Sequence, residues 1–196
     1  MAETPAKSQA GPVNNIKNDY EFLVKQFQQG DDTAFDSIVQ QYYGDIASLA
    51  NRMLGWSSDV EDIVQQVFLA AYLKLKKFRG QSNLKTWLFA ITINKCRNYR
   101  YRQILQLRFL SKKTRDKNYH DGADKSQIDY ELFERVRNAV EILPVKYREA
   151  VVLRYLQELT TEETCSVLRI SNSALQTRLS RARRLLKDRL AGLTKD

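Results

Sequence analysis

Nine basic residues fall between Lys74 and Arg102 with no acidic residue among them: Lys74, Lys76, Lys77, Arg79, Lys85, Lys95, Arg97, Arg100 and Arg102. Tyr72, Phe78, Trp87, Phe89, Tyr99 and Tyr101 lie among them or just ahead. Cations at this density can follow a phosphate backbone while exposed rings stack on unpaired bases, each stack worth roughly 1–3 kcal/mol. Single-stranded DNA suits that combination better than duplex. The competing account makes Trp87 and Phe89 core residues, and for Trp87 the core account is favoured. Tyr99, Tyr101 and the Phe78–Asn83 loop are then the better choices for exposure.

A second cationic array runs from Leu159 to Arg184. Thr160 or Thr161 can cap a short helix, and Glu163 is spaced to answer Thr160 in a capping box. Leu168-Arg169-Ile170 reads as a turn, and Ser171 as the cap of a second helix. Ala174, Leu175, Leu179 and Leu186 give that helix an apolar side, opposite Gln176, Thr177, Arg178, Arg181 and Arg184. A short helix, a tight turn and a basic second helix fit a helix-turn-helix whose second helix enters the major groove. Asn172, Ser173, Gln176 and Thr177 are placed for base edges, and the later arginines for phosphates. The plain alternative is an amphipathic helix with solvated arginines.

These arrays must be held by helices. Phe35, Ile38, Val39, Tyr42, Tyr43, Ile46, Leu49, Ala50 and Met53 recur at steps of three and four, up to Gly55. Val60, Ile63, Val64, Val67, Phe68, Ala71, Tyr72 and Leu75 form a second stripe, opened by cap candidates Ser57, Ser58 and Asp59. Gly80 breaks the chain before a third helix with Leu84, Trp87, Leu88, Ile91 and Cys96 inward. Ile128, Leu132, Val136 and Val140 continue the pattern up to Pro144, which suits a helix start. Tyr147, Val151, Val152 and Tyr155 are the inward set of the helix that follows. No useful length alternates as a strand does. The expected fold is all-α, with two small helical domains. A flexible tail is expected over 1–18, the first domain over 19–107, a charged linker over 108–125 and the helix-turn-helix domain over 126–196.

The 32 Lys+Arg against 23 Asp+Glu leave a formal charge of +9, which favours a polyanionic partner. Hydrophobic residues at 43% are enough to build a core. Cys96, Cys165 and a lone histidine, His120, cannot make a zinc site with ordinary ligand spacing, so neither metal nor cofactor is expected. Both thiols read as reduced and buried. No run is long enough to span a membrane and no signal pattern opens the chain, which places it in the cytoplasm. Asp59, Glu61 and Asp62 sit where a helix dipole favours negative charge. Capping accounts for them as well as a protein-docking surface does.

Two sets of residues, in order, resemble a known family. Asp59-Val-Glu-Asp-Ile-Val-Gln-Gln-Val-Phe68 and Phe78-Arg-Gly-Gln-Ser-Asn-Leu-Lys-Thr-Trp-Leu-Phe-Ala-Ile-Thr-Ile-Asn94 resemble domain two of extracytoplasmic-function (ECF) sigma factors of the sigma-70 family. Leu143-Pro-Val-Lys-Tyr-Arg-Glu-Ala-Val-Val-Leu-Arg-Tyr155 and the helix-turn-helix resemble their domain four. The likeness covers most of Asp31 to Leu190. It implies a promoter-specificity subunit without catalytic residues, whose partners are core RNA polymerase, promoter DNA and an anti-sigma factor. By the same resemblance, Asp62, Gln65, Gln66 and Phe68 dock on the clamp coiled coil of the polymerase. Phe78, Arg79, Gln81, Ser82, Asn83, Lys85, Trp87, Asn94 and Arg97 read and hold the melted −10 strand. Ser171, Ser173, Gln176, Thr177, Arg178 and Arg181 read the −35 duplex.

The chain departs from the family pattern in places. Gln66 stands where an acidic residue is common, Thr164 and Cys165 replace Ile-Ala, and Arg169 replaces a frequent turn glycine. Ser173, Ala174 and Gln176 replace commoner Gly, Thr and Lys or Arg, which bears on the −35 sequence that is read. Two rival functions remain. A stand-alone helix-turn-helix regulator would bind two-fold half-sites without polymerase, and the basic, aromatic first domain is awkward for it. A recombinase would need a nucleophile, a base and metal carboxylates in one site, and no such acidic cluster is present in the sequence.

Overall fold

The computed structural model describes residues 13–55, 57–109 and 127–191, with side chains for 20–55, 57–106 and 134–191. Its first helix, α1 (Val13–Gln28), starts inside the stretch expected to be tail. Tyr20, Val24 and Phe27 explain why, since they supply a buried stripe that repays the ordering of the segment. Residues 1–12 lie outside the described residues, as do His120 and most of the expected linker. The helices α2 (Thr33–Leu54), α3 (Val60–Leu75) and α4 (Leu84–Phe109) pack mutually and complete the first helical unit. α2 ends at Gly55, whose φ of 73° is the left-handed conformation that glycine adopts without strain. α4 runs two residues past the expected domain end at Leu107. The stripes of α2 and α3 bury as expected, except that Tyr43 is exposed and Val39 and Tyr72 are half-buried. On α4, Leu84, Leu88 and Cys96 point inward with Phe89 and Ile93, while Trp87 and Ile91 are half-buried.

The second unit comprises α5 (Gln127–Glu141), α6 (Val145–Val151) with a π-helical turn over Val152–Leu156, α7 (Thr161–Leu168) and α8 (Asn172–Leu190). Pro144 stands one position ahead of α6, where its carbonyl accepts from the amides of Tyr147 and Arg148. Val151 and Val152 are buried, but Tyr155 is exposed and Tyr147 only half-buried. For Tyr155 the π turn is the cause, because its wider hydrogen-bond closure shifts the phase of the residues within it. Val136 of α5 is likewise exposed, unlike Val140. Among the described residues there is no strand and no helix long and apolar enough to cross a membrane. The two units share one continuous buried core, with α4 packed on α7 and α2 on the π turn.

Candidate nucleic-acid interface

The turn between α7 and α8 is built as the sequence spacing implies. Thr160 Oγ1 accepts from the Glu163 amide at 3.1 Å, and Glu163 Oε2 accepts from the Thr160 amide at 2.9 Å. Arg169 then turns left-handed at φ 55°, and the Ile170 amide donates back to the Cys165 carbonyl. Ser171 Oγ accepts from the Ala174 amide at 3.2 Å and starts α8. Leu175, Leu179 and Ala182 lock one side of α8 into the unit, Ala182 being an anchor too small to stand out in the apolar pattern. On the other side Ser171, Ser173, Gln176, Thr177 and Arg181 are exposed and Arg178 is half-buried. Gln176 is steadied by Asn172 at 3.3 Å, and Thr177 donates to the Ser173 carbonyl. Arg181 approaches the Tyr147 hydroxyl, and that contact holds the phenol below its usual pKa. The result is a rigid polar edge at the helix start with cations a turn beyond it.

The −10 set is less uniform. The Phe78 ring packs against Trp87 at 5.1 Å, and Gln28 of α1 donates to the Leu75 and Phe78 carbonyls, fixing the loop root. Beyond that root Arg79 and Gln81 are exposed, while Ser82 and Asn83 are half-buried. Asn83 Oδ1 accepts from the Lys85 amide at 2.7 Å, as a capping side chain does at a helix start. Lys85 is engaged with Asp45 of α2 at 2.7 Å. Asn94 is exposed and lines a recess of about 370 Å³ between α3 and α4, with Leu73, Lys74, Lys95 and Asn98 on its walls. Leu73 and Asn98 were not expected there, because single residues off a stripe carry no periodic signal. Arg97, expected on the strand-binding face, is held by Glu149 of α6. Tyr101 is exposed as expected, but Tyr99 is not free, since its hydroxyl is taken by Asp59, Ser57 and Gln103. Burial, and then the Asp59 carboxylate, raise its pKa.

On α3, Asp62, Gln65 and Gln66 share one exposed face. Phe68 does not belong to it. At 7% exposure it lies in the core, its ring stacked 6.5 Å under Tyr43. Helical steps explain the correction: 62, 65, 66 and 69 lie on one side and 64, 67, 68 and 71 on the other. The exposed face continues instead through Leu69 and Leu73, which are 61% and 69% exposed. Glu61 accepts from the Tyr43 hydroxyl at 2.7 Å, and Asp59 is spent on Tyr99 and Ser57, so neither is a bare cap.

Residues 38–103 match the Sigma-70 region 2 family, and residues 133–186 match the Sigma-70, region 4 family. The ECF RNA polymerase sigma-E factor of Escherichia coli (strain K12) is 32% identical over 183 residues, covering 87% of this chain and 94% of that one. The chain belongs to the ECF sigma factors. The sigma-E factor of Haemophilus influenzae is 29% identical over 180 residues, covering 87% of this chain and 95% of its own. Among solved structures, CnrH in complex with the cytosolic domain of CnrY is 27% identical with a TM-score of 0.65, covering 87% of this chain and 96% of that one. The Bartonella quintana sigma factor RpoE, solved with the anti-sigma factor NepR, is 22% identical with a TM-score of 0.68. It covers 80% of this chain and 96% of its own, and shares the fold. As a sigma factor the protein is a specificity subunit of RNA polymerase in transcription initiation.

Proposed function

We propose that this sigma factor divides promoter reading between its two units. α8 reads the −35 duplex through Ser171, Ser173, Gln176, Thr177, Arg178 and Arg181. The loop after α3, with Trp87, Asn94, Lys85 and Arg97 of α4, receives the melted −10 strand. Extruding a base costs a few kcal/mol, offset by stacking and pocket contacts. Asp62, Gln65 and Gln66 dock on the polymerase clamp, with Phe68 supporting the face from beneath. The factor works in the cytoplasm, carries no catalytic chemistry and is held in check by an anti-sigma factor, as the Bartonella relative with NepR is an instance of such a pair. The observation that carries the reading is α8 itself, a capped helix fixed on one side by Leu175, Leu179 and Ala182 and exposing polar and cationic side chains on the other.

The test is transcription by core RNA polymerase from a library of upstream DNA fragments, with and without the protein. Discrete starts that depend on it support the assignment and give both promoter elements. No binding to core, alongside tight binding of the protein alone to palindromic duplex, would overturn it.

A further inference from the structure

The two units are joined by polar bridges at a place where promoter reading needs them apart. Arg97 Nε and Nη2 of α4 donate to the two carboxylate oxygens of Glu149 on α6, each at 2.6 Å. Glu149 is only 2% exposed, and the fork from Arg97 is the charge-assisted pair that meets its carboxylate, with Arg100 and Arg148 adding their charge nearby. Nearby, the Met53 carbonyl at the end of α2 accepts from Arg100 at 2.6 Å within its own unit and from Arg148 of α6 at 3.0 Å. Arg52 donates to the Leu156 carbonyl at 2.5 Å, and Thr86 to Glu163 at 3.3 Å. Glu141 of α5 fills the space over Gly55, where a Cβ would overlap its carboxylate.

This arrangement cannot be the one that reads a promoter. A packed chain of this length has a radius of gyration of roughly 16 Å and measures about 40 Å across. Elements named −10 and −35 are separated by about 25 base pairs, or ~85 Å of duplex at 3.4 Å per pair. The exposed edge of α8 and the α3–α4 loop cannot reach both from one closed body.

We infer that Arg97–Glu149 is a latch that holds the sigma factor closed, and that the same guanidinium is handed to the −10 strand when the latch opens. The second half rests on the −10 role proposed for Arg97; the first does not. On opening, Glu149 passes into water and Arg97 finds a phosphate or base edge, so neither ion is stranded. Arg148 keeps the Glu141 and Leu143 carbonyls of its own unit. Core polymerase that presents both units at promoter spacing binds the open form, so closure lowers the apparent affinity for it by the fraction of molecules that are open.

The experiment is a cycle of Glu149→Gln, Arg97→Gln and the double variant, each full-length, titrated against core RNA polymerase without DNA. Each single variant is expected to bind about tenfold tighter, the effect of removing ~1.4 kcal/mol from the closed form. The double variant should bind no tighter than either single, because both remove one interaction. Unchanged affinity in both singles, or a hundredfold gain in the double, overturns the latch. Should Glu149→Gln fail to fold, Arg97→Gln tests the same pair from its more exposed side. Transcription from a responsive promoter separates the two halves. Arg97→Gln falling well below Glu149→Gln supports the hand-over. Equal transcription by two tight-binding variants keeps the latch and removes Arg97 from the −10 contacts.

Discussion

Arg169 sits in the turn of the helix-turn-helix at φ 55°, ψ 52°, a left-handed conformation in which an L side chain crowds its own carbonyl. That conformation costs roughly 1–2 kcal/mol for a residue with a Cβ. The Arg169 side chain is exposed, so removing it forfeits no buried contact. Glycine relieves the strain but adds about 0.4–1 kcal/mol of freedom to the unfolded chain. Arg169→Gly should therefore gain roughly 0.5 kcal/mol net, close to the lower bound of the strain less the entropy. Asparagine tolerates the conformation without that entropy term, so Arg169→Asn should gain about 0.5–1 kcal/mol. Alanine keeps the Cβ and should be near neutral, while valine, stiff at χ1, should lose about 1 kcal/mol or more. Urea unfolding of the full chain at neutral pH ranks the four against the parent. Asparagine and glycine should rank above arginine, and valine below it. Glycine less stable than alanine would refute it, because strain at the Cβ is the only term that separates them in that direction.

Other outcomes follow from the same structure. Gln176→Ala should cost about 1–3 kcal/mol on a matched −35 duplex and relax preference at one base pair, as a selection from randomised sites would reveal. Arg181→Ala should instead weaken all duplexes alike and lower the salt slope of binding by about one, measured by anisotropy across a salt series. Leu153→Ala, which empties a fully buried position, should cost about 2–5 kcal/mol in chemical denaturation. Burial pushes the Cys96 thiol up to about 12, so folded protein holds its proton where unfolded chain, near 9, has lost it. The native state then binds more protons above pH 9, and its contribution to stability falls as pH rises from about 9 to about 12. Stability curves should accordingly drop more steeply over that window in the parent than in Cys96→Ala.

Much of the α2–α3 packing could be read from residue types, because an apolar residue every third or fourth position has one stable outcome. The turn before α8 was legible for a different reason: Thr160, Glu163 and Ser171 carry their own hydrogen-bond partners at fixed spacing, so no tertiary contact is needed to specify them. Helical phase is less legible than helical content. Phe68 belongs to an apolar stripe and also to a family docking motif, and only helical geometry separates the two roles. A regular period places Tyr155 inward, and a single π turn displaces it. The start of α1 at Val13 was hidden by Pro12 and Gly11, residues that read as loop but are compatible with a helix beginning immediately after them.

What the sequence could not carry is the pairing of Arg97 with Glu149, fifty-two positions apart. In a list of basic residues Arg97 looks like any other nucleic-acid contact, and Glu149 lies within a helix whose neighbours Ala150, Val151 and Val152 are buried. A carboxylate in such a place is costly unless a fork of donors meets it. The acid on the inward side of α6 is thus the sharper signal, since it demands a cation from elsewhere. Arg97 of α4, in the other unit, meets it with two nitrogens of its guanidinium. A protein that must bring two DNA-reading units to distant elements has reason to tie its closed form with the same charge that DNA will claim. On that proposal, a phosphate or base edge satisfies the guanidinium that opening exposes.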